Sequence, residues 1–208
     1  EADILGTRTR AAAGSDAAIL GDLDGDGISE LAVRGDVSTT ANAAVEIFAG
    51  PITVRSYLAS STYSWVSLAG SSPSETLRTA GAGDTNGDGL DDVIVGSYTN
   101  AKGYVVLGSS ALSDRSLSGA ADATYSGASG SSAGWSLTGA GEVDGDGVDD
   151  VAFGALTDTS NAGSFCLALG PLSGSVGCDA VGAGLAAATL GSAIAGTGDL
   201  DGQGCEDL

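Results

Sequence analysis

The sequence predicts an all-β protein built from repeated four-stranded units. Three observations carry that expectation: a high glycine content, the lack of long helical runs, and an acidic pattern that returns four times at a near-constant interval. Gly supplies 35 of 208 residues, more than twice the ordinary share of about 7%. Hydrophobic residues still make up 42%, enough to bury a core. Ala is common, but Met is absent and Lys102 is the only lysine. Gly, Ser and Thr break every apolar run, which suits short strands and tight turns.

The elements follow in order. Glu1 to Thr7 aligns with the fourth strand of a preceding unit. Small-residue apolar runs at Ala17 to Leu20, Leu77 to Ala82, Trp135 to Ala140 and Ser192 to Thr197 predict a first strand in each repeat. β-Branched runs at Leu31 to Val33, Val93 to Val95 and Val151 to Phe153 predict a second. Third strands are expected at Val45 to Phe48, Tyr104 to Leu107 and Phe165 to Leu169. Weaker fourth segments are expected at Ser64 to Leu68, Ala123 to Tyr125 and Val176 to Val181. The unit boundaries are then 1–12 (partial), 13–74, 75–132, 133–189 and 190–208 (partial). Four-stranded units with a period of about 60 residues predict a β-propeller: three full blades plus parts of two.

Between the first and second strands of each unit lies the acidic loop. Its four copies carry Asp22, Asp24, Asp26 and Glu30; Asp84, Asn86, Asp88 and Asp92; Glu142, Asp144, Asp146 and Asp150; and Asp199, Asp201, Gln203 and Asp207. These stand at loop positions 1, 3, 5 and 9, with Gly at positions 4 and 6 in every copy. Gly reaches φ > 0 without a Cβ clash, so the backbone can curl and aim the carboxylates at one point. Position 7 (Ile28, Leu90, Val148, Cys205) can add a backbone carbonyl. An all-oxygen cage of six or seven donors suits Ca²⁺, so up to four calcium ions are expected. Without a cation, like charges this close repel. Zinc is disfavoured, since the chain has no His. An EF-hand would need helices on both sides and a Glu at position 12. Gln203 brings no charge, so the fourth site is expected to be the weakest.

The loops and their flanks resemble FG-GAP repeats, the units of the integrin α-subunit propeller and of many secreted bacterial proteins. The resemblance covers nearly the whole chain. The name-giving Phe-Gly slot is degenerate, reading Ala13-Gly14, Glu75-Thr76, Ala133-Gly134 and Leu190-Gly191, as is the Gly-Ala-Pro slot at Arg34-Gly35-Asp36, Gly96-Ser97-Tyr98 and Gly154-Ala155-Leu156. The resemblance implies that calcium has a structural role, pinning the turn between the two inner strands of each blade. It also implies a secreted or cell-surface address, and often seven blades. Three readings of this chain stay open: a segment of a longer polypeptide, a subunit that assembles with other copies or another chain, or a small closed propeller. The absence of an initiator Met and of a signal-peptide pattern at Glu1 reads as processing or trimming.

A formal charge of −20 argues against nucleic acid, and no apolar stretch is long enough to span a membrane. A protein or glycan at the extracellular surface is the expected partner. Enzymatic function is not expected. With no His, bases reduce to carboxylates and Tyr57, Tyr63, Tyr98, Tyr104 or Tyr125, and no nucleophile motif stands out. The alternatives are a lectin-like propeller, the non-catalytic part of a polysaccharide lyase or hydrolase, and a subunit of an extracellular filament. Tyr63-Ser64-Trp65 and Trp135 are the aromatic candidates for a sugar, with core packing as their other role. Arg34-Gly35-Asp36 matches an adhesion tripeptide but falls where a Gly turn is expected. Cys166 and Cys178 lie symmetrically about Leu172, so a hairpin centred there allows a disulfide, with two buried thiols as the alternative. Cys205 is left over.

Overall fold

The computed structural model describes residues 4–6, 14–35, 42–52, 56–58, 65–157, 161–185 and 187–208. The protein is all-β. A short strand β1 (Ile4–Gly6) comes first. One unit then holds β2 (Ala17–Gly21), β3 (Glu30–Gly35), β4 (Ala44–Phe48), β5 (Ser56–Leu58) and β6 (Val66–Ala69). The next holds β7 (Leu77–Gly83), β8 (Asp92–Ser97), β9 (Lys102–Val106), β10 (Arg115–Ser116), a four-residue helix α1 (Leu117–Ala120) and β11 (Ala123–Ser126). The last holds β12 (Ala133–Gly141), β13 (Asp150–Ala155), β14 (Ser164–Ala168), β15 (Gly174–Val176) and β16 (Ala180–Ala183).

Each unit is an antiparallel meander: β2-β3-β4-β6, β7-β8-β9-β11 and β12-β13-β14-β16. The expected four strands per unit are therefore present three times. A fifth strand per unit was not foreseen. β5, β10 and β15 leave their own units and pair in parallel with β1, β6 and β11. β10 and β15 each add an edge to the sheet before them, tying neighbouring units by main-chain hydrogen bonds, and β5 forms a two-stranded sheet with β1. Among the described residues β16 has no such parallel partner. The fourth repeat's expected first strand is also missing. Ser192 to Thr197 forms no strand, and only a bridge joins Gly198 to Asp207. A strand persists through a ladder, and no described segment runs opposite this one beyond that bridge.

The hydrophobic core lies between successive sheets. Val93, Val95, Tyr104 and Val106 face one way and pack with Leu20, Val45, Ile47, Leu68 and Leu77. Ile94 and Val105 face the other way and pack with Val151, Phe153 and Ala168. All six residues of β8 are buried, because that sheet is covered on both sides. Its unbroken Val-Ile-Val run is the sequence signature of that double burial. Close sheet approach needs Gly at particular points. A Cβ on Gly103 would lie 2.3 Å from the Phe153 ring, and one on Gly182 would lie 2.1 Å from the Phe165 ring.

Glu75 stands where the other repeats carry Ala13, Ala133 and Leu190, and it has a structural role. Glu75 is buried, and its carboxylate accepts from Ser71 N and Oγ, Ser72 N and Ser97 Oγ. Burial pushes its pKa up, but these bonds outweigh that and hold the carboxyl below the usual range.

Cys166 and Cys178 form a disulfide with Cα atoms 5.2 Å apart. The expected hairpin about Leu172 is corrected. β14 pairs with β16, setting Cys166 opposite Val181, while the intervening β15 crosses to β11. Cys178 thus sits in the return loop and not on the facing strand. It staples that loop to the last sheet. Replacing both cysteines by Ala should lower unfolding stability by about 2–3 kcal/mol, read by urea denaturation.

Candidate metal centre

The four acidic loops join strand ends: β2 to β3, β7 to β8 and β12 to β13, with the fourth inside the Gly198–Asp207 bridge. A bulge interrupts each first strand just before its loop, at Leu20, Ala82 and Ala140. It turns the chain so that the next residues leave the sheet.

The curl expected from the glycines is present. Position 1 organises it: Asp22 Oδ1 accepts from Gly25 N (2.8 Å) and Asp26 N (3.1 Å), and Oδ2 accepts from Gly27 N (2.8 Å). Asp84 and Asp199 repeat this pattern with Gly87, Asp88 and Gly89, and with Gly202, Gln203 and Gly204. Glu142 does the same for Gly145 and Gly147, and those N–H groups hold its carboxyl below the usual range. Position 5 accepts from the N–H of position 7: Asp26 from Ile28 (2.8 Å), Asp88 from Leu90 (3.0 Å) and Asp146 from Val148 (2.8 Å).

Position 9 closes the loop from inside. Glu30, Asp92 and Asp150 are fully buried. Each accepts from the N–H of position 2: Leu23 (2.7 Å), Thr85 (2.9 Å) and Val143 (2.9 Å). The other oxygen accepts from a Gly after the third strand: Gly50 (3.4 Å), Gly108 (2.8 Å) or Gly170 (2.7 Å). Burial raises all three pKa values, Asp92 to about 6, with neighbouring loop acids adding to the effect. A buried, crowded carboxylate of this kind is relieved by a bound cation.

The fit to calcium is testable on the donor positions. Ligands at about 2.3–2.6 Å from Ca²⁺ lie no more than roughly 5 Å from one another. Carboxylate oxygens of Asp22, Asp24 and Glu30 meet that limit, all within 4.8 Å, as do those of Glu142, Asp144 and Asp146 and of Asp199, Asp201 and Asp207. Asp26 and Asp150 stand outside these groups. The first and fourth loops thus gather positions 1, 3 and 9, and the third gathers positions 1, 3 and 5. In the second loop no three carboxylates among the described residues meet that limit; Asn86 stands at position 3, and its Nδ2 donates to Asp88 Oδ2 at 2.9 Å. Gln203 donates likewise to Asp201. Cys205 is a free thiol.

Position 8 had no role in the sequence reading, yet it links the loops. Asp91 Oδ2 accepts from Asp22 N (2.7 Å), and Asp91 N donates to Asp22 O (3.0 Å). Asp149 does the same with Asp84, and Glu206 N donates to Glu142 O. Each loop is thereby latched to the one before it. The residue before position 1 must be Gly for this. A Cβ on Gly21, Gly83 or Gly141 would lie within 2.2 Å of the Asp91, Asp149 or Glu206 carboxylate. The signal was available: acids follow position 7 in three copies, with Ser29 in the first.

The other candidates are placed as follows. Tyr104 is buried, which raises its pKa, and Tyr125 stacks on Phe153 with ring centroids 5.2 Å apart. Trp65 packs on the core of the first two sheets. Tyr98 rests against Trp135. The side chains of Tyr57, Tyr63 and Asp36 lie outside the described residues. No helix among the described residues is long and apolar enough to cross a membrane. No family model matches the chain, and a search of curated proteins finds no match.

Gly83→Ala should cost roughly 2–3 kcal/mol, combining a left-handed backbone with displacement of Asp149. Gly198→Ala, at a similar φ but with open space around it, should cost only about 1 kcal/mol. Thermal unfolding of the two variants compares them directly.

Proposed function

We propose that this chain is an extracellular calcium-stabilised module of the FG-GAP type, with meanders arranged as propeller blades. Calcium held by the acidic loops rigidifies the turns between first and second strands. Its role is structural, supporting a binding surface, and no catalysis is assigned to it. One observation carries the reading: carboxylates from separate loop positions converge within calcium-ligand distance in three loops of the same curl. Asp22, Asp24 and Glu30 would hold one ion, Glu142, Asp144 and Asp146 a second, and Asp199, Asp201 and Asp207 a third, with Asp84, Asn86, Asp88 and Asp92 as the donors offered by the second loop. The ion's contribution is charge neutralisation and cross-linking of the loop.

Two further features support the address and the architecture. The Cys166–Cys178 disulfide suits an oxidising compartment. The parallel strand exchange and the position-8 latches suit units repeated around a common direction, as blades are.

Excess chelator should lower the melting temperature substantially, because an ion that binds only the folded state stabilises it by mass action. Affinities should lie at about 10⁻⁴ to 10⁻³ M, as for extracellular modules. A melting curve indifferent to chelator would refute the proposal. Asp24→Ala should lose one ion per chain by calorimetric titration, leaving the remaining loops filled.

A further inference from the structure

A cleft of about 310 Å³ opens near the starts of the first strands, at the ends away from the acidic loops. Arg78 and Asp84 are separated by most of β7, roughly 20 Å at about 3.3 Å per residue. The cleft walls include Asp16, Arg78, Thr79, Trp135, Ser136 and Ser192. Asp16, Arg78 and Ser136 occupy the same place in successive repeats, each preceding position 1 of its loop by the same interval. At loop positions that organise the backbone, the repeats carry like residues. At this position they carry an acid, a base and a hydroxyl, and the packing of β2, β7 and β12 brings the three to one cleft.

Two polar atoms of the cleft-lining residues are left without a protein partner. Arg78 Nε and Thr79 Oγ1 are both shielded from solvent and have no hydrogen bond within the described protein. Thr79 is 7% exposed. Its N–H donates to Asp16 Oδ2 at 2.8 Å, which fixes the acid beside it. The Arg78 guanidinium carbon lies 5.8 Å from the Trp135 ring centroid, and the Tyr98 ring packs on Trp135 at 4.8 Å. The arginine is thus held in place by aromatic stacking.

We propose that this cleft binds one neutral sugar ring, with adjacent hydroxyls spanning Asp16 and Arg78. A hydroxyl both donates and accepts, so neighbouring hydroxyls match a carboxylate beside a guanidinium. A simple anion would face Asp16, and a simple cation would face Arg78. An apolar ligand would leave Arg78 Nε and Thr79 Oγ1 unpaired, which disfavours it. The volume lies at the lower end of ligand sites, about 300–1,000 Å³. This inference does not depend on calcium, since the cleft and the loops lie at opposite strand ends.

The test uses the full chain in millimolar calcium. Immobilised neutral and acidic glycans are screened first. Methyl glycosides of the sugars retained are then titrated, following Trp135 fluorescence in a Trp65→Phe background. A neutral sugar should be retained, and Asp16→Asn and Arg78→Gln should each weaken its binding at least about tenfold. Thr79→Val removes a hydroxyl with no partner in the free protein, so it should fold normally and still lose affinity. Asp24→Ala should leave the sugar affinity unchanged. Retention of no glycan overturns the proposal, as does binding that Thr79→Val, Asp16→Asn and Arg78→Gln leave unaltered. Retention of acidic glycans alone, lost in Arg78→Gln but kept in Asp16→Asn, also overturns it in favour of an anion site.

Discussion

Each of the first three repeats is organised around a buried carboxylate. Glu30, Asp92 and Asp150 lie beneath their loops with no exposure to solvent. One oxygen of each holds the start of the acidic loop, and the other holds the glycine that follows the third strand. A single side chain therefore ties three points of the backbone together. The cost is a desolvated negative charge among other negative charges, and the raised pKa of each group registers it. Main-chain N–H groups offset part of that cost.

The same loops also carry the contacts between repeats. Asp91 and Asp149 each grip both backbone groups of the preceding loop's first residue. β10 and β15 reach back to the preceding sheet in parallel. The hydrophobic core lies between sheets rather than within one. Three kinds of interaction thus connect neighbours, so local order in one loop is transmitted to the next through short, directional bonds. At the far ends of the first strands the repeats differ in chemistry, and there the structure gathers Asp16, Arg78 and Ser136 around a cleft.

Much of the fold was legible in the sequence because both signals are local. Position 1 and the glycines at positions 4 and 6 act within one loop, so their spacing carries the curl. The Val-Ile-Val run of β8 reports burial on two faces without reference to any partner. Other features were hidden because they join residues far apart in the chain. β15 reads as part of a hairpin with β14 until the sheet order shows it crossing to β11. Ser192 to Thr197 has the composition of a strand, but pairing decides whether a strand forms, and composition does not report pairing.

By itself the sequence determined the all-β class, the four acidic loops, the place of three of them between first and second strands, and the pairing potential of Cys166 with Cys178. Each of these depends on residue type and spacing over a dozen residues or fewer. Tertiary structure alone decided which carboxylates converge, that Asp91 and Asp149 latch consecutive loops, and that Arg78, Trp135 and Asp16 share a cleft. Those outcomes depend on how neighbouring repeats dock. Docking is set by the summed packing of Val93, Ile94, Phe153 and their neighbours, which no short stretch of sequence encodes.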